Sequence, residues 1–421
     1  MVNLLVIADD YTGALDTGVQ FSKQGIKTLV TVDQQISFDD IPPDVEVLVI
    51  DLESRHLSPE SAYLAVSRIV QLARSAGVRN FYKKTDSVLR GNIGAELSAL
   101  IENTDMDSLA FVPAYPKTGR TVRDGILYAD GIKLCDSHFS NDLFDPVNYS
   151  AVADIIRLQS SLNIECFSKD RYRDTDKTYS EKTICVFDAE TEQDLKCIGE
   201  QLKAADRLSV LAGCAGFAEL LPGLLGLSAV QMDLPAVSAG ILVVTASTNQ
   251  VTIDQIHYAE NLDFQVFTLT PEQKLSAGYF DSDEGEAFTD EIAQAFNRKN
   301  RVVIESVNDK NQLTQANHAA EEMGLSLEEA RIQVQINIGK ITKQLLDKTK
   351  TGSLVVFGGD TLFGIIENLG IKGMIPLVEI TPGVAAAKTI SDYDLLLITK
   401  SGGMGDEDVL ETIENFIKER L

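Results

Sequence analysis

The sequence predicts an α/β protein of two three-layer domains, with largely parallel sheets and an active-site cleft between them. Three observations carry that reading. Short, almost continuous apolar runs alternate with segments of helical period, as parallel strands buried on both faces require. The carboxy ends of these runs lead into polar or glycine-rich loops, where open α/β sheets bind ligands. At 421 residues the chain exceeds one ordinary core, and two domains of roughly 200 residues each are expected.

Composition narrows the function classes. A net charge of -26 repels a nucleic-acid backbone and an anionic membrane, so neither is expected as a partner, and an anionic small molecule would need a locally basic pocket. Five scattered cysteines without C-x-x-C spacing fit reduced thiols. No apolar run approaches the ~18 residues of a membrane span, and no secretory signal opens the sequence, so a cytoplasmic location is expected. Four unclustered histidines give no histidine-rich metal site.

The first domain is expected over 1–235. Asn3 to Ala8 reads as a strand, Thr12 to Lys23 as a helix capped by Thr12 and closed by Gly25, and Lys27 to Val32 as a strand. Between the first strand and its helix lie two adjacent carboxylates, Asp9 and Asp10, suited to hydroxyls, a proton or a cation. Val45 to Leu52 is an apolar strand that delivers Glu53, Ser54, Arg55 and His56 to the same edge. Ser58 and Pro59 start a helix to Ser75, whose Tyr63, Val66, Val70 and Ala73 recur at core spacing.

A strand at Asn80 to Tyr82 then runs into Lys83-Lys84-Thr85-Asp86-Ser87-Val88-Leu89-Arg90-Gly91-Asn92, followed by a helix near Gly94. Three cations, an Asp and two hydroxyls in so short a stretch suit an anionic, hydroxylated ligand, although cations at a strand end are often only solvated. After the strand Leu109 to Val112, two prolines and two glycines make 113–125 a shaped loop that presents Arg120. Residues 139–182 read as a polar excursion that covers or buttresses this rim. Strands at Ile184 to Phe187 and Leu208 to Leu211 flank a helix near Gln193 to Ala204, and Gly213-Cys214-Ala215-Gly216-Phe217 opens a short helix.

Val230 to Ala239 is the expected linker, and 240–421 the second α/β domain. Its strands are Ile241 to Thr245, Gln265 to Leu269, Arg301 to Glu305, Ser353 to Phe357, Leu377 to Ile380 and Leu395 to Ile398. Ser326 and Glu329 stand in capping-box spacing before the longest helix, and an amphipathic helix from Asp406 closes the chain. Three strands empty into small polar loops: Ala246-Ser247-Thr248-Asn249, Gly358-Gly359-Asp360-Thr361 and Thr399-Lys400-Ser401-Gly402-Gly403. Such loops expose backbone N–H groups beside helix amino termini and so suit phosphates, although each alone can be only a tight turn. No P-loop or G-x-G-x-x-G fingerprint is present.

Asp9-Asp10-Tyr11-Thr12-Gly13-Ala14, the Lys83–Asn92 stretch, Pro113-Ala114-Tyr115-Pro116, Gly213–Phe217, Gly358–Thr361, Pro382-Gly383-Val384 and Thr399–Gly405, in this order, resemble the four-carbon acid sugar kinase family along essentially the whole chain. The resemblance implies an amino-terminal domain for a small sugar acid, a carboxy-terminal domain for ATP, and phosphorylation of the terminal (4-) hydroxyl of acids such as threonate, erythronate or 3-oxotetronate. Carried over by position, Asp10, Arg55, Lys84, Thr85, Asp86 and Ser87 would hold the acid; Lys84 with Arg90 or Arg55 is expected to neutralise its carboxylate. Ser247, Gly359 and the turn Ser401, Gly402 and Gly403 would hold ATP; Gly358, Asp360 and Thr361 of the same glycine loop are further candidates, with Mg2+ expected to bridge the phosphates. Two departures stand out: Ala246-Ser247-Thr248-Asn249 replaces the family's Gly-Ser-x-Ser-type loop, and Ala385-Ala386-Ala387-Lys388 follows Pro382-Gly383-Val384.

Asp86 and Asp360 are the two expected candidates for the catalytic base; no metal ligands are assigned, and a homodimer is compatible with the sequence. A non-catalytic nucleotide- or sugar-acid-binding regulator is the alternative. A hydroxy-acid dehydrogenase lacks its cofactor fingerprint.

Overall fold

The computed structural model describes residues 2–141, 146–230, 240–393, 395–400 and 403–419. The chain divides into two compact units, Met1–Gln231 and Met232–Leu421. The expected linker lies largely outside the described residues.

The first unit opens with β1 (Leu4–Ala8), α1 (Tyr11–Ser22), β2 (Thr28–Thr31), β3 (Val47–Asp51), α2 (Pro59–Ser75), β4 (Asn80–Lys84), α3 (Ile93–Glu102) and β5 (Ser108–Val112). A small antiparallel sheet follows, β6 (Arg120–Arg123), β7 (Ile126–Ala129) and β8 (Ile132–Lys133). Then come α4 (Val152–Arg157), β9 (Asn163–Phe167), β10 (Thr183–Phe187), α5 (Glu192–Ala204), β11 (Val210–Gly213), α6 (Ala215–Ala218) and α7 (Leu221–Leu225). The main sheet of this unit runs β2-β3-β1-β4-β11-β5-β10-β9, with parallel pairing throughout. β1 and β3 are buried along their whole length, as their unbroken apolar runs anticipate.

Three local expectations are corrected. Asp10, not Thr12, caps α1, because a carboxylate one residue before the helix reaches the Gly13 N–H at 3.1 Å. Tyr63 is only half-buried on α2 and gives its hydroxyl to Glu102 at 2.6 Å, while Val66, Val70 and Ala73 are core. The 113–125 loop contains β6, and Arg120 is taken up there by Thr118 O and Asp130 and stacks over Phe139, so it belongs to the small sheet. The 139–182 excursion supplies the edge strand β9 as well as a buttress: Gln159 donates to Asn92 Oδ1 at 3.0 Å.

The second unit contains β12 (Ile241–Thr245), α8 (Gln250–Glu260), β13 (Gln265–Thr268), α9 (Pro271–Leu275), α10 (Asp283–Lys299), β14 (Arg301–Glu305), α11 (Lys310–Glu322) and α12 (Leu327–Lys348). It continues with β15 (Ser353–Phe357), α13 (Gly359–Leu369), β16 (Gly373–Thr381), β17 (Val384–Ile390), β18 (Leu396–Lys400) and α14 (Val409–Lys418). Its strands run β13-β14-β12-β15-β18-β17-β16, parallel from β13 to β18 and antiparallel from β18 to β16. β17 is absent from the sequence-based expectation: Ala385-Ala386-Ala387 has weak strand propensity, but all three are buried between β16 and β18. The Ser326–Glu329 capping box forms as expected. Among the described residues no helix is long and apolar enough to cross a membrane.

Candidate active site

In the first unit the strand order places β1 between β3 and β4, so the chain leaves β1 where the winding changes direction, the usual ligand position in an open α/β sheet. Parallel register sets Ala8 beside Asp51 and Ile7 beside Lys83. The loops after these three strands therefore converge, bringing Asp9, Asp10, Arg55, Lys84, Asp86 and Arg90 together.

Arg55 joins the loops. Its Nε donates to Asp9 Oδ2 at 2.8 Å, its Nη2 lies 2.8 Å from the same oxygen and 2.9 Å from Asp10 Oδ1, and Asp86 Oδ1 is 3.7 Å away. Asp86 receives a forked pair from Arg90, Nε at 2.9 Å and Nη2 at 3.0 Å, and closes its own turn by accepting from the Val88 and Arg90 amides. Burial alone would raise the Asp86 pKa, but Arg90, Arg55 and Lys84 overcome it and hold the carboxyl far below the usual range. Asp9 is likewise lowered against its burial by Arg55, Lys83 and Lys84. The Lys84 ammonium is kept charged, its pKa raised against burial by Asp9, Asp10 and Asp86, and it donates to Thr85 O at 2.8 Å. A Cβ on Gly13 would stand 2.6 Å from Lys84 Nζ and 2.5 Å from Asp10 Oδ1, so only glycine lets these two groups approach α1. Thr85 is buried with its hydroxyl unpartnered, and Ser87 is half-buried in the turn.

Sequence reading missed the layer behind. Lys83 is fully buried, 3.1 Å from Glu96 Oε2 on α3, and donates to Lys84 O at 2.8 Å; Ser54 gives its hydroxyl to Glu96. Period-two alternation sends Lys83 and Lys84 to opposite faces of β4, which was the available signal. Asn92 ties the Lys83–Asn92 stretch to the loop after β3, donating to Ser54 O at 2.9 Å and Leu57 O at 2.8 Å.

In the second unit β12, β15 and β18 end in register at Thr245, Phe357 and Lys400, and the winding reverses between β12 and β15. Ala246 N donates to Thr361 Oγ1 at 3.0 Å, and a Cβ on Gly358 would lie 3.7 Å from Ser247 Cβ, so these two loops adjoin. Gly358 has φ +98° and precedes α13, whose first turn carries Gly359 and Asp360. Gly403 approaches Asn249, the cap of α8. Asp360 is half-exposed and paired with Arg331 of α12 at 2.9 Å. Ser401 and Gly402 lie outside the described residues. Lys400, unassigned by sequence reading, is buried with its Nζ 3.1 Å from Met404 O and 4.7 Å from the Phe357 ring centre, and burial pulls its pKa down to about 8. The Lys400 side chain thus ties the end of β18 to Met404.

The arrangement offers a buried ionic cluster for an anionic polyol in one unit and a backbone-lined helix terminus for phosphates in the other. Comparison with known proteins matches both halves. Residues 4–221 fit a model described as a sugar-binding N-terminal domain, and 242–410 one described as a nucleotide-binding C-terminal domain. A D-threonate kinase of Salmonella typhimurium is 30% identical, with 99% of each chain covered. A D-erythronate kinase of Heliobacterium modesticaldum is 27% identical over 100% of this chain and 98% of its own. A 3-oxo-tetronate kinase of Pseudomonas savastanoi is 25% identical over 96% of this chain and 94% of its own. A crystal structure from Salmonella typhimurium shares the fold at TM-score 0.81 and 23% identity, covering 98% of this chain and 99% of that one. With matches to both domain models and a full-length relative at this identity, the chain belongs to the four-carbon acid sugar kinase family.

Proposed function

We propose that this protein transfers the γ-phosphoryl group of ATP to the 4-hydroxyl of a four-carbon sugar acid. The observation that carries the reading is the converging Asp9–Asp10–Arg55–Lys84–Asp86–Arg90 cluster in a chain that belongs to a kinase family. Lys84 and the outer face of Arg90 bind the acid's carboxylate, while Asp10 and Asp86 accept from its hydroxyls. The ion pairs fix these groups before substrate arrives, so little ordering is needed at binding. Thr85 and Ser87 supply hydroxyls to the same turn.

The residues of the second unit fit a nucleotide's phosphates: Gly358 leaves the approach to α13 without a side chain, and the first-turn amides of Gly359, Asp360 and Thr361 face it with the positive end of the helix dipole. Ser247 and the Gly403 turn border the same edge. Among the described residues no group of three or more His, Cys, Asp or Glu side chains could hold a metal ion. Mg2+ would therefore enter on the phosphates and retain water, neutralising charge there.

Asp86, ionised and locked by two guanidiniums, serves as a hydrogen-bond acceptor and is a poor proton acceptor. The test is ADP release with Mg-ATP over D- and L-threonate, D- and L-erythronate and 3-oxotetronates. Turnover on at least one acid is expected; binding without turnover on every member would favour a regulator instead.

A further inference from the structure

The residue after the β3 strand end is built unlike a solvated loop position. Glu53 holds φ +45°, a left-handed conformation that costs a branched or long side chain roughly 1 kcal/mol and is kept where surrounding structure enforces it. Three contacts enforce it: Tyr11 N donates to Glu53 Oε1 at 3.2 Å, Glu53 N donates to Asp51 Oδ1 at 3.0 Å, and Gln34 Nε2 donates to Leu52 O at 3.0 Å. The Glu53 carboxyl is thereby set beside Tyr11, next to Asp10 at the edge where Arg55 stands, and is half-buried.

Its inner neighbour is the Asp51 carboxyl, fully buried, with Oδ1 accepting from the Glu53 amide and Oδ2 unpartnered, so the two carboxyl groups form a close pair. Burial raises the Asp51 pKa strongly, with the Glu53 charge adding to it, so Asp51 is the protonated member. The Tyr11 hydroxyl, also buried and unpartnered, sits in the same field.

We propose that Glu53 is the general base that takes the proton from the attacking hydroxyl of the sugar acid, with Asp51 and the Tyr11 amide holding it in place. This rests on the kinase reading above and names a residue for its proton-accepting step. The hydroxyl O–H bond breaks, its proton passes to a Glu53 oxygen, and its electron pair forms the new O–P bond. The bond from γ-phosphorus to the β–γ bridging oxygen breaks, ADP leaves, and Glu53 returns the proton to water.

The groups that face Glu53 set its proton affinity. Burial raises it most; the Asp51 bond, the Tyr11 amide and Arg55 lower it, Asp10 raises it, and the balance stands at about 7. A base near neutrality combines an unprotonated form with useful proton affinity.

The experiment is the kcat and kcat/KM pH profile, from pH 5 to 9, of wild type, Glu53→Gln and Glu53→Asp, with acid affinity measured by calorimetry. Gln keeps the acceptor for the Tyr11 amide, and circular dichroism checks folding. For Glu53→Gln the expected result is a kcat loss of about 10²-fold or more, a change in acid affinity under about threefold, and disappearance of the acid limb near pH 7. Glu53→Asp retains that limb with partial activity, which a purely structural role would not require. Wild-type kcat in Glu53→Gln, or a loss confined to KM, overturns the proposal. If wild type turns over no acid, the kinase reading fails and this inference with it; an active wild type with an unaffected Glu53→Gln sinks this inference alone.

Discussion

The two candidate sites bind charge by opposite means. In the first unit, three cations and three carboxylates share one cluster, in which Arg55 and Arg90 hold Asp9, Asp10 and Asp86 by side-chain ion pairs at hydrogen-bond distances. In the second, the edge proposed for phosphates is built from a positive-φ glycine, first-turn amides and short hydroxyl side chains, with its Asp360–Arg331 pair near the surface. A small rigid acid rewards fixed charges, whereas a phosphate chain can be met by backbone dipoles that cost no buried charge. The difference predicts that the first site fails through stability and chemistry together, and the second through affinity.

The largest effect tests the ionic cluster. Arg55→Ala leaves Asp9 buried without its main partner, and a loss of about 3–5 kcal/mol is expected in urea unfolding, together with acid binding. Asp86→Asn removes an ionised acceptor without emptying the space, so kcat/KM for the acid falls about 10²-fold while ATP affinity holds. The same cluster fixes a pH dependence. Asp9 and Asp86 have folded pKa values below the unfolded value, so the stability they contribute is complete above about pH 4 and is lost as pH falls through their folded values. In Asp86→Asn that acid-side loss shrinks, measurable as a shallower fall of Tm below pH 4.

Glu53 has the opposite sign. Its folded pKa of about 7 lies above its unfolded value, so the wild type is favoured below about pH 4.5 and loses stability as pH rises to 7. Glu53→Gln is therefore expected to unfold at higher urea than wild type at pH 8, by about 1–3 kcal/mol, while losing activity. Equal stability at pH 8 would break the contrast between Glu53 and its ionised neighbours.

Smaller effects belong to the second unit. Gly358→Ala forces a side chain into φ +98°; a cost of about 1–2 kcal/mol is expected, with roughly tenfold weaker ATP binding by calorimetry and unchanged acid binding. Asp360→Asn breaks a half-exposed pair, so stability moves by less than about 1 kcal/mol and KM for ATP only a few-fold. A large kcat loss there with normal nucleotide binding would erase the distinction and return Asp360 to base chemistry.

Much of this was legible from local signals. Ser58 and Pro59 mark the start of α2, and Ser326 with Glu329 the start of α12, because caps and ring geometry act within one turn. β12 and β15 coincide with their apolar runs because they are buried throughout, and β14 does so because it is buried from Val302 onward. The Lys83–Asn92 stretch was recognisable as one motif, but its division was not: Lys84 faces the cluster while Lys83 neutralises Glu96 across a helix packing contact. β17 was invisible because three alanines carry no strand signal until two neighbours bury them.

The sequence by itself determined the alternation of strands and helices, the two α/β units and the loops that carry chemistry, since period, caps and turn residues act over a few neighbours. Only the tertiary structure decided which charges meet. Arg55 lies more than thirty residues from both Asp10 and Asp86, and parallel register alone brings them within reach of one guanidinium. The same register puts Asp51 and Glu53 behind the Tyr11 amide, where burial, a property of the assembled sheet, makes one carboxyl an acid and its neighbour a base.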